Sequence, residues 1–111
     1  MAYKMIVLDL DDTLLRDDHT ISDRTKDALM KAQELGVKVV LASGRPTFAM
    51  KDIAEELNLA KYGSYILSFN GSKIIDWNDK KEKFSSTLSP EAAHKLYDIS
   101  LCFLIYIFYL V

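Results

Sequence analysis

Apolar and polar residues are arranged along this chain in short blocks that predict alternating strands and helices. Apolar runs predict strands over residues 4–8 and 37–42. Helical periodicity predicts one helix from the N-cap Ser22 to Leu35 and a second helix over residues 46–57. Strands that alternate with helices are typical of α/β folds with a parallel sheet.

Both predicted helices carry apolar side chains at helical spacing, which predicts one buried face on each helix. The expected core positions are Ala28, Leu29, Ala32 and Leu35 on the first helix and Met50, Ile53, Ala54 and Leu57 on the second. We interpret both stripes as core and not as binding positions.

The second half of the chain predicts a hairpin followed by a third helix. Residues 65–69 are typical of a buried strand, and Asn70-Gly71 predicts a type I′ turn into a further strand. A turn at Asn78-Asp79 leads to a predicted strand over residues 84–88. Ser89-Pro90 then predicts the start of a helix, with Ser as the N-cap.

Composition is typical of one domain and excludes several classes of function. Half of the 111 residues are apolar, and the formal net charge of −2 provides no basic surface for nucleic acid. Cys102 is the only cysteine, which excludes an internal disulfide and a Cys-rich zinc site. The apolar run after Lys4 is too short for a signal peptide, so we expect a cytoplasmic protein without membrane contact.

The sequence Asp9-Leu10-Asp11-Asp12-Thr13 directly follows the first predicted strand. Because side chains alternate along an extended segment, Asp9 and Asp11 are expected on one side of the strand end, with Leu10 facing away. Such a pair can bind a hard divalent cation and can divide into a nucleophilic carboxylate and a protonated proton donor. The motif therefore favours phosphoryl transfer through an aspartyl phosphate.

This acidic motif has two other possible interpretations. A calcium-binding EF-hand loop does not fit, because Leu14 and Thr20 stand where that loop needs Gly and Glu. A solvated acidic turn without catalytic function remains an alternative for the motif alone.

A second polar motif, Ser43-Gly44-Arg45-Pro46, follows the second predicted strand. A hydroxyl and a glycine N–H before a helix that begins at Pro46 form a natural seat for a phosphate oxygen. Parallel strands joined by a helix bring their carboxyl ends to one edge of the sheet. Asp9 and Ser43 are therefore expected to meet there.

These residues resemble two motifs of the haloacid dehalogenase superfamily of phosphohydrolases, and in particular its Cof-type subgroup. The first motif covers residues 8–15 and the second covers residues 42–46, while Asn70-Gly71 after the third strand also fits the subgroup. The resemblance extends over roughly the first 95 residues, and the paired motifs are fairly specific. It implies a Rossmann-like α/β core with a parallel sheet and a β-hairpin.

The resemblance implies a role for each site residue. Asp9 is the implied nucleophile and Mg²⁺ ligand, and Asp11 the implied general acid and base, whose backbone carbonyl also binds Mg²⁺. Implied phosphate contacts come from Ser43, Gly44 and Leu10, and implied supporting residues are Thr13, Arg45 and Asn70. The implied substrates are small phosphorylated metabolites.

Three further residues receive a structural interpretation. Asp12 stands where the family often has Gly, and we interpret its side chain as solvated. His19 lies in a polar excursion over residues 16–20 that forms a flap in the family, and it is also interpreted as solvated. For Asn70, a turn without substrate contact is favoured.

In the family, a lysine and further aspartates come from motifs far downstream, so the site expected here is incomplete and the fragment inactive. We expect residues 1–88 to form the N-terminal part of the core, truncated before the cap and the rest of the core, with residues 89–111 at the start of the cap region. Self-association through an exposed sheet edge is also expected.

The apolar residues 99–111, interrupted only by Ser100, favour an aberrant tail that arose by truncation or frame shift. Burial in a partner and a membrane-proximal position are alternatives for this tail. It is expected to add to the self-association.

Two other functions remain open at this point. A receiver-like phospho-acceptor domain also uses an acidic pocket on such a sheet, but its acceptor Asp would follow the third strand, where this chain has Phe69 and Asn70. A pseudoenzyme that binds phosphate without turnover is the third candidate.

Overall fold

The computed structural model describes residues 3–102. Five strands form one sheet in the order β1-β2-β3-β4-β5: β1 Met5–Leu8, β2 Lys38–Ala42, β3 Tyr65–Ser68, β4 Lys73–Asp76 and β5 Lys81–Ser85. The first three strands are parallel, and the last two add an antiparallel hairpin. The predicted α/β fold with a parallel sheet and a β-hairpin is confirmed.

The helices are α1 Asp23–Glu34, α2 Lys51–Glu56, α3 Leu59–Tyr62 and α4 Pro90–Cys102. Ser22 caps α1, since its hydroxyl accepts the Thr25 N–H at 3.2 Å, and the Ser89 hydroxyl accepts the Ala92 N–H at 3.1 Å before α4. Both predicted N-caps are confirmed.

The second predicted helix is divided. Pro46 is extended, at φ −65° and ψ 155°, and a 3₁₀ turn over Thr47–Met50 precedes α2, so the helix does not begin at Pro46. The predicted stripe is nevertheless correct, because Met50, Ile53, Ala54 and Leu57 are all buried. A 3₁₀ turn followed by an α-helix still keeps these side chains on one face.

The predicted stripe on α1 is wrong at two of its four positions. Leu29 is buried and Ala32 partly buried, but Ala28 is exposed and Leu35 is 85% exposed. Leu35 lies beyond the last helical residue, where the helical period no longer determines its direction. Gln33 takes the core position instead, and its side-chain amide donates a 2.8 Å hydrogen bond to the Leu57 carbonyl.

The hairpin has a different turn from the one predicted. Ser68 pairs with Lys73, so four residues connect β3 and β4, and the two-residue type I′ turn is wrong. The backbone is left-handed at Phe69, Asn70 and Gly71, with φ of 52°, 55° and 85°. The left-handed conformation that Asn70-Gly71 predicts is present, but in a longer loop.

The last strand begins at Lys81, three residues before the predicted strand over residues 84–88. The Asp79 carboxylate accepts the Lys81 N–H at 2.9 Å, and Lys80 has φ 59°, so the turn is completed early.

The core lies between the sheet and the helices. Its fully buried large side chains are Leu10, Val39, Leu41, Met50, Leu57, Leu59 and Ile66. Leu10 belongs to the acidic motif, and its burial confirms that it faces away from its acidic neighbours. The core therefore anchors the loop that carries Asp9.

Within the described sheet, β1 and β5 are the outer strands. Met5 and Val7 on β1 are about half exposed. Self-association through this edge stays a prediction. Residues 103–111 of the apolar tail lie outside the described residues, and no helix in the part that is described is long and apolar enough to cross a membrane.

Candidate active site

The carboxyl ends of β1, β2 and β3 lie side by side at one edge of the sheet, as parallel pairing requires. A cleft of about 300 Å³ opens there. It is lined by Asp9, Ala42, Ser43, Gly44, Leu67, Asn70 and Gly71. The structure thus brings the two predicted motifs together.

The first loop is a single wide turn over Leu10–Leu14 that follows Asp9. Its backbone is closed by the Leu14 N–H, which donates to the Asp9 carbonyl at 3.2 Å, and Leu14 is buried like Leu10. Asp9, Asp11, Asp12 and Thr13 are exposed. Burying the two leucines therefore presents the polar side chains of this turn to solvent.

Among residues 3–102, Asp12 and Thr13 make no side-chain hydrogen bond or ion pair that would assign them a role. Asp12 is left-handed, with φ 60°, and its exposed side chain agrees with the interpretation that it is solvated. The supporting role of Thr13 stays a prediction.

The second loop is held against β3. The Ser43 N–H donates to the Leu67 carbonyl at 3.0 Å, and the Ser43 hydroxyl accepts the Arg45 N–H at 3.1 Å. The hydroxyls of Thr47 and Ser68 are 2.6 Å apart and add a further tie between these segments. Because its hydroxyl accepts from the backbone, Ser43 retains its own O–H for a ligand.

The third loop is tied back to the second by two backbone hydrogen bonds. The Phe69 N–H donates to the Arg45 carbonyl at 3.0 Å, and the Asn70 N–H donates to the Ser43 carbonyl at 3.1 Å. A Cβ added to Gly44 would lie 3.0 Å from Asn70 Oδ1. Asn70 is therefore part of the cleft wall as well as of a turn.

Asp11 does not line the cleft with Asp9, although the sequence predicted both side chains on one side of the strand end. Arg45 donates to it twice, from Nε to Oδ2 at 3.0 Å and from Nη2 to Oδ1 at 2.5 Å. The side-chain hydrogen bonds from Arg45 hold the pKa of Asp11 below its ordinary value, and Asp11 raises the pKa of Arg45. Asp11 is thus held as a carboxylate beside the cleft.

His19 also approaches Asp11, with Nδ1 3.8 Å from Asp11 Oδ1. Its side chain is exposed, as predicted, and its backbone is left-handed at φ 62°. This contact was not predicted from the sequence, although the position of His19 in the excursion after the acidic motif was a signal for it.

The described residues contain no group of three or more His, Cys, Asp or Glu side chains arranged to hold a metal ion. The oxygen donors that the family resemblance implies for Mg²⁺ are the carboxylate of Asp9, which is a residue of the cleft wall, and the Asp11 backbone carbonyl. Carboxylate and carbonyl oxygens are ligands that Mg²⁺ accepts, together with waters and substrate phosphate. The donor chemistry fits this ion.

The chain is similar to proteins of a known family. The family of haloacid dehalogenase-like hydrolases matches residues 6–110. This match includes most of the apolar segment over residues 99–111, and the aberrant origin of that segment stays a prediction.

Two proteins of Bacillus subtilis (strain 168) are similar to the chain. The protein YxeH is 36% identical over 99 residues, which are 89% of this chain and 37% of YxeH. A protein named 5-amino-6-(5-phospho-D-ribitylamino)uracil phosphatase YcsE is 40% identical over 75 residues, which are 68% of this chain and 29% of YcsE. The chain spans about a third of the length of these relatives.

Solved structures show the same partial coverage. A haloacid dehalogenase-like hydrolase from Bacteroides thetaiotaomicron superposes with a TM-score of 0.84 at 42% identity, covering 91% of this chain and 38% of that one. A haloacid dehalogenase-like hydrolase from B. subtilis gives a TM-score of 0.76 at 30% identity, covering 91% of this chain and 34% of that one.

Proposed function

The chain belongs to the family of haloacid dehalogenase-like hydrolases, and we propose that its cleft is the phosphate site of a Mg²⁺-dependent phosphohydrolase that acts on small phosphorylated metabolites. The observation that carries the proposal is that Asp9, Ser43 and Gly44 line one cleft. The hydroxyl and the glycine N–H can hold phosphoryl oxygens, and the carboxylate beside them can attack the phosphorus.

In this proposal Asp9 is the nucleophile. One carboxylate oxygen forms a bond to phosphorus while the bond from phosphorus to the substrate's ester oxygen breaks, and the leaving oxygen takes a proton. Water then attacks the aspartyl phosphate, releases inorganic phosphate and restores the Asp9 carboxylate.

Asp11 supplies the proton in the first step and accepts one from water in the second. Its carboxylate is held by Arg45 beside the cleft, so this role requires Asp11 to leave that pair and to take up a proton from solvent before the first cycle. In later cycles, the proton is the one that Asp11 accepted from water. Arg45 is proposed as a supporting residue that holds the Asp11 carboxylate beside the cleft while no substrate is bound.

The phosphoryl oxygens are held by hydrogen-bond donors from two loops. Ser43 contributes its O–H, while Gly44 and Leu10 contribute backbone N–H groups. Leu10 is fixed by its buried side chain, and Ser43 by its bonds to Leu67 and Arg45. Donors that are fixed before the reaction need no reorganisation during it.

Mg²⁺ would be held by the Asp9 carboxylate and the Asp11 backbone carbonyl. When bound, it neutralises charge on the transferring phosphoryl group. Substrate choice is proposed to lie with a cap that begins at α4, following the predicted boundary between residues 88 and 89, and a cytoplasmic location stays part of the proposal.

The proposal is tested with a chimera in which the 75 residues of this chain that match YcsE replace the corresponding residues of YcsE. With Mg²⁺, the chimera should hydrolyse an aryl phosphate, whereas the 111-residue chain alone should turn over far below about 1 s⁻¹. Asp9→Asn should abolish hydrolysis by the chimera. Asp12→Asn, a matched change in the same turn, should leave the rate of hydrolysis unchanged.

A folded chimera that is inactive while YcsE itself is active, or an Asp9→Asn chimera at full rate, would overturn the proposal. Turnover by the chain alone at about 1 s⁻¹ or more would contradict the expectation that its site is incomplete.

A further inference from the structure

We propose that Asn70 is a phosphate-contacting residue of the cleft, whose side-chain amide donates a hydrogen bond to the bound phosphoryl group. This inference rests on the function proposed above, because it requires phosphate at Ser43 and Gly44. It departs from the sequence interpretation of Asn70 as a turn residue alone.

The backbone of Asn70 is fixed to the phosphate-binding loop. Its N–H donates to the Ser43 carbonyl at 3.1 Å, and the preceding N–H of Phe69 donates to the Arg45 carbonyl at 3.0 Å. A turn needs neither bond to connect β3 to β4. The two bonds therefore place Asn70 relative to Ser43 and not only relative to its own hairpin.

The loop also holds an unfavourable backbone conformation at this point. Phe69 is left-handed at φ 52°, which a bulky side chain rarely adopts, and Asn70 follows at φ 55°. Such conformations persist where surrounding contacts enforce them, and they concentrate at ligand sites. Asn70 accepts this conformation more readily than most residues, which explains its backbone but not its side-chain position.

Gly44 leaves room for the Asn70 side chain. The position of a Cβ on Gly44 would be 3.0 Å from Asn70 Oδ1 and 3.7 Å from Nδ2. The Asn70 carboxamide thus lies next to Gly44 of the proposed phosphate site. Any residue with a side chain at position 44 would fill that space. Both residues line the same cleft as Asp9.

The amide donors of Asn70 are available to a ligand. Within residues 3–102 its carboxamide makes no hydrogen bond with the protein, and the side chain is exposed at the cleft. An amide NH₂ supplies two donors without a charge. It can therefore bind phosphoryl oxygens without forming an ion pair with Asp9.

The experiment is a titration of the ¹⁵N-labelled 111-residue chain with inorganic phosphate, followed by the amide shifts of Ser43, Gly44 and Asn70. Three variants are compared with the wild type. Asn70→Gly keeps the left-handed backbone without a side chain, Asn70→Asp keeps the shape but replaces the donor with a carboxylate, and Ser43→Ala removes the hydroxyl.

Asn78→Asp is the charge-matched control. Asn78 is also exposed, and it follows β4 at the end away from the cleft, since Lys73 starts that strand and Asp76 ends it. The control should bind phosphate as the wild type does, because the added charge is far from the cleft.

We expect Asn70→Gly to weaken phosphate binding about tenfold, as for one lost hydrogen bond to a charged ligand. Asn70→Asp should weaken it further through charge repulsion. If Ser43→Ala weakens binding but both Asn70 variants bind like the wild type, the role of Asn70 is refuted and the phosphate seat stands. If phosphate causes no shifts at Ser43 and Gly44 in the wild type, the role of Asn70 is refuted, whereas the proposed function is tested separately by the activity of the chimera.

A purely structural role would also contradict the inference. It predicts that Asn70→Gly, where it keeps the native shifts of β3 and β4 without phosphate, binds phosphate with wild-type affinity.

Discussion

Arg45 donates two hydrogen bonds to Asp11, from Nε to Oδ2 at 3.0 Å and from Nη2 to Oδ1 at 2.5 Å. Arg45 lies on the loop after β2, whereas Asp11 lies on the loop after β1, so the pair joins the two motifs across the sheet edge. Two N–H donors of the planar guanidinium bind the two carboxylate oxygens, which is a strongly directional arrangement. Of the two predicted catalytic acids, this leaves Asp9 alone on the cleft wall.

Replacing Arg45 should change the titration of Asp11. We expect Arg45→Ala to raise the pKa of Asp11 towards the ordinary aspartate value of about 3.9, because the lowered pKa depends first on hydrogen bonds from Arg45. Carboxyl NMR titration measures this pKa directly. Lys51→Ala, which removes the cation of a different exposed pair with Glu55, should leave the pKa of Asp11 unchanged.

The same pair predicts how its contribution to stability depends on pH. Because the pKa of Asp11 is lowered in the folded state, the contribution is complete above the ordinary pKa of about 3.9 and is lost as the pH falls through the lowered value. The difference in unfolding free energy between wild type and Arg45→Ala should therefore shrink below about pH 4. A difference that grows on acidification would contradict the assignment.

Two leucines that both looked like core residues in the sequence should respond differently to truncation. Leu57 is fully buried, so Leu57→Ala should reduce the free energy of unfolding by about 2–5 kcal/mol. Leu35 is 85% exposed, so Leu35→Ala should change it by less than about 0.5 kcal/mol. Urea denaturation followed by circular dichroism compares the two. Equal losses would mean that α1 packs differently from the structure.

Mg²⁺ should bind weakly to the 111-residue chain. Its proposed donors are the Asp9 carboxylate and one carbonyl, and the described residues provide no cluster of three metal-binding side chains. Calorimetric titration should detect no tight stoichiometric site, and Asp9→Asn should weaken whatever binding remains. Tight binding that is lost in Asp12→Asn would show that Asp12 is a ligand and would contradict the interpretation that it is solvated.

Local patterns were sufficient to predict much of this fold. Ser22 and Ser89 cap helices because a hydroxyl before a helix satisfies a free N–H, a rule that needs only neighbouring residues. The buried stripe from Met50 to Leu57 is also correct, since apolar spacing survives a change from 3₁₀ to α geometry.

The errors in the fold have causes outside the local pattern. Gln33 replaces Leu35 in the core because the Leu57 carbonyl, 24 positions away, accepts its amide. The turn at Asn70-Gly71 is longer than predicted, because the Phe69 and Asn70 N–H groups donate hydrogen bonds to the loop after β2. Contacts of this kind depend on the tertiary fold.

In the candidate site, too, local patterns predicted some features, while others depend on the tertiary fold. Strand ends and motif spacing correctly predicted that Asp9 and Ser43 would meet, since parallel strands share one edge. The pattern of alternation did not predict that Asp11 would turn to Arg45, because that partner is 34 positions away and the loop leaves the strand geometry at Asp11.

The central claim is that Asp9 accepts a phosphoryl group, and covalent trapping tests it most directly. The chimera with YcsE is mixed with Mg²⁺ and an aryl phosphate, quenched in acid, digested and analysed by mass spectrometry. We predict one added phosphoryl group on Asp9, retained in Asp12→Asn and absent in Asp9→Asn, which also loses turnover because an amide cannot form the acyl phosphate. A phosphoryl group on Asp11 or Asp12, or full turnover by Asp9→Asn, would contradict the account.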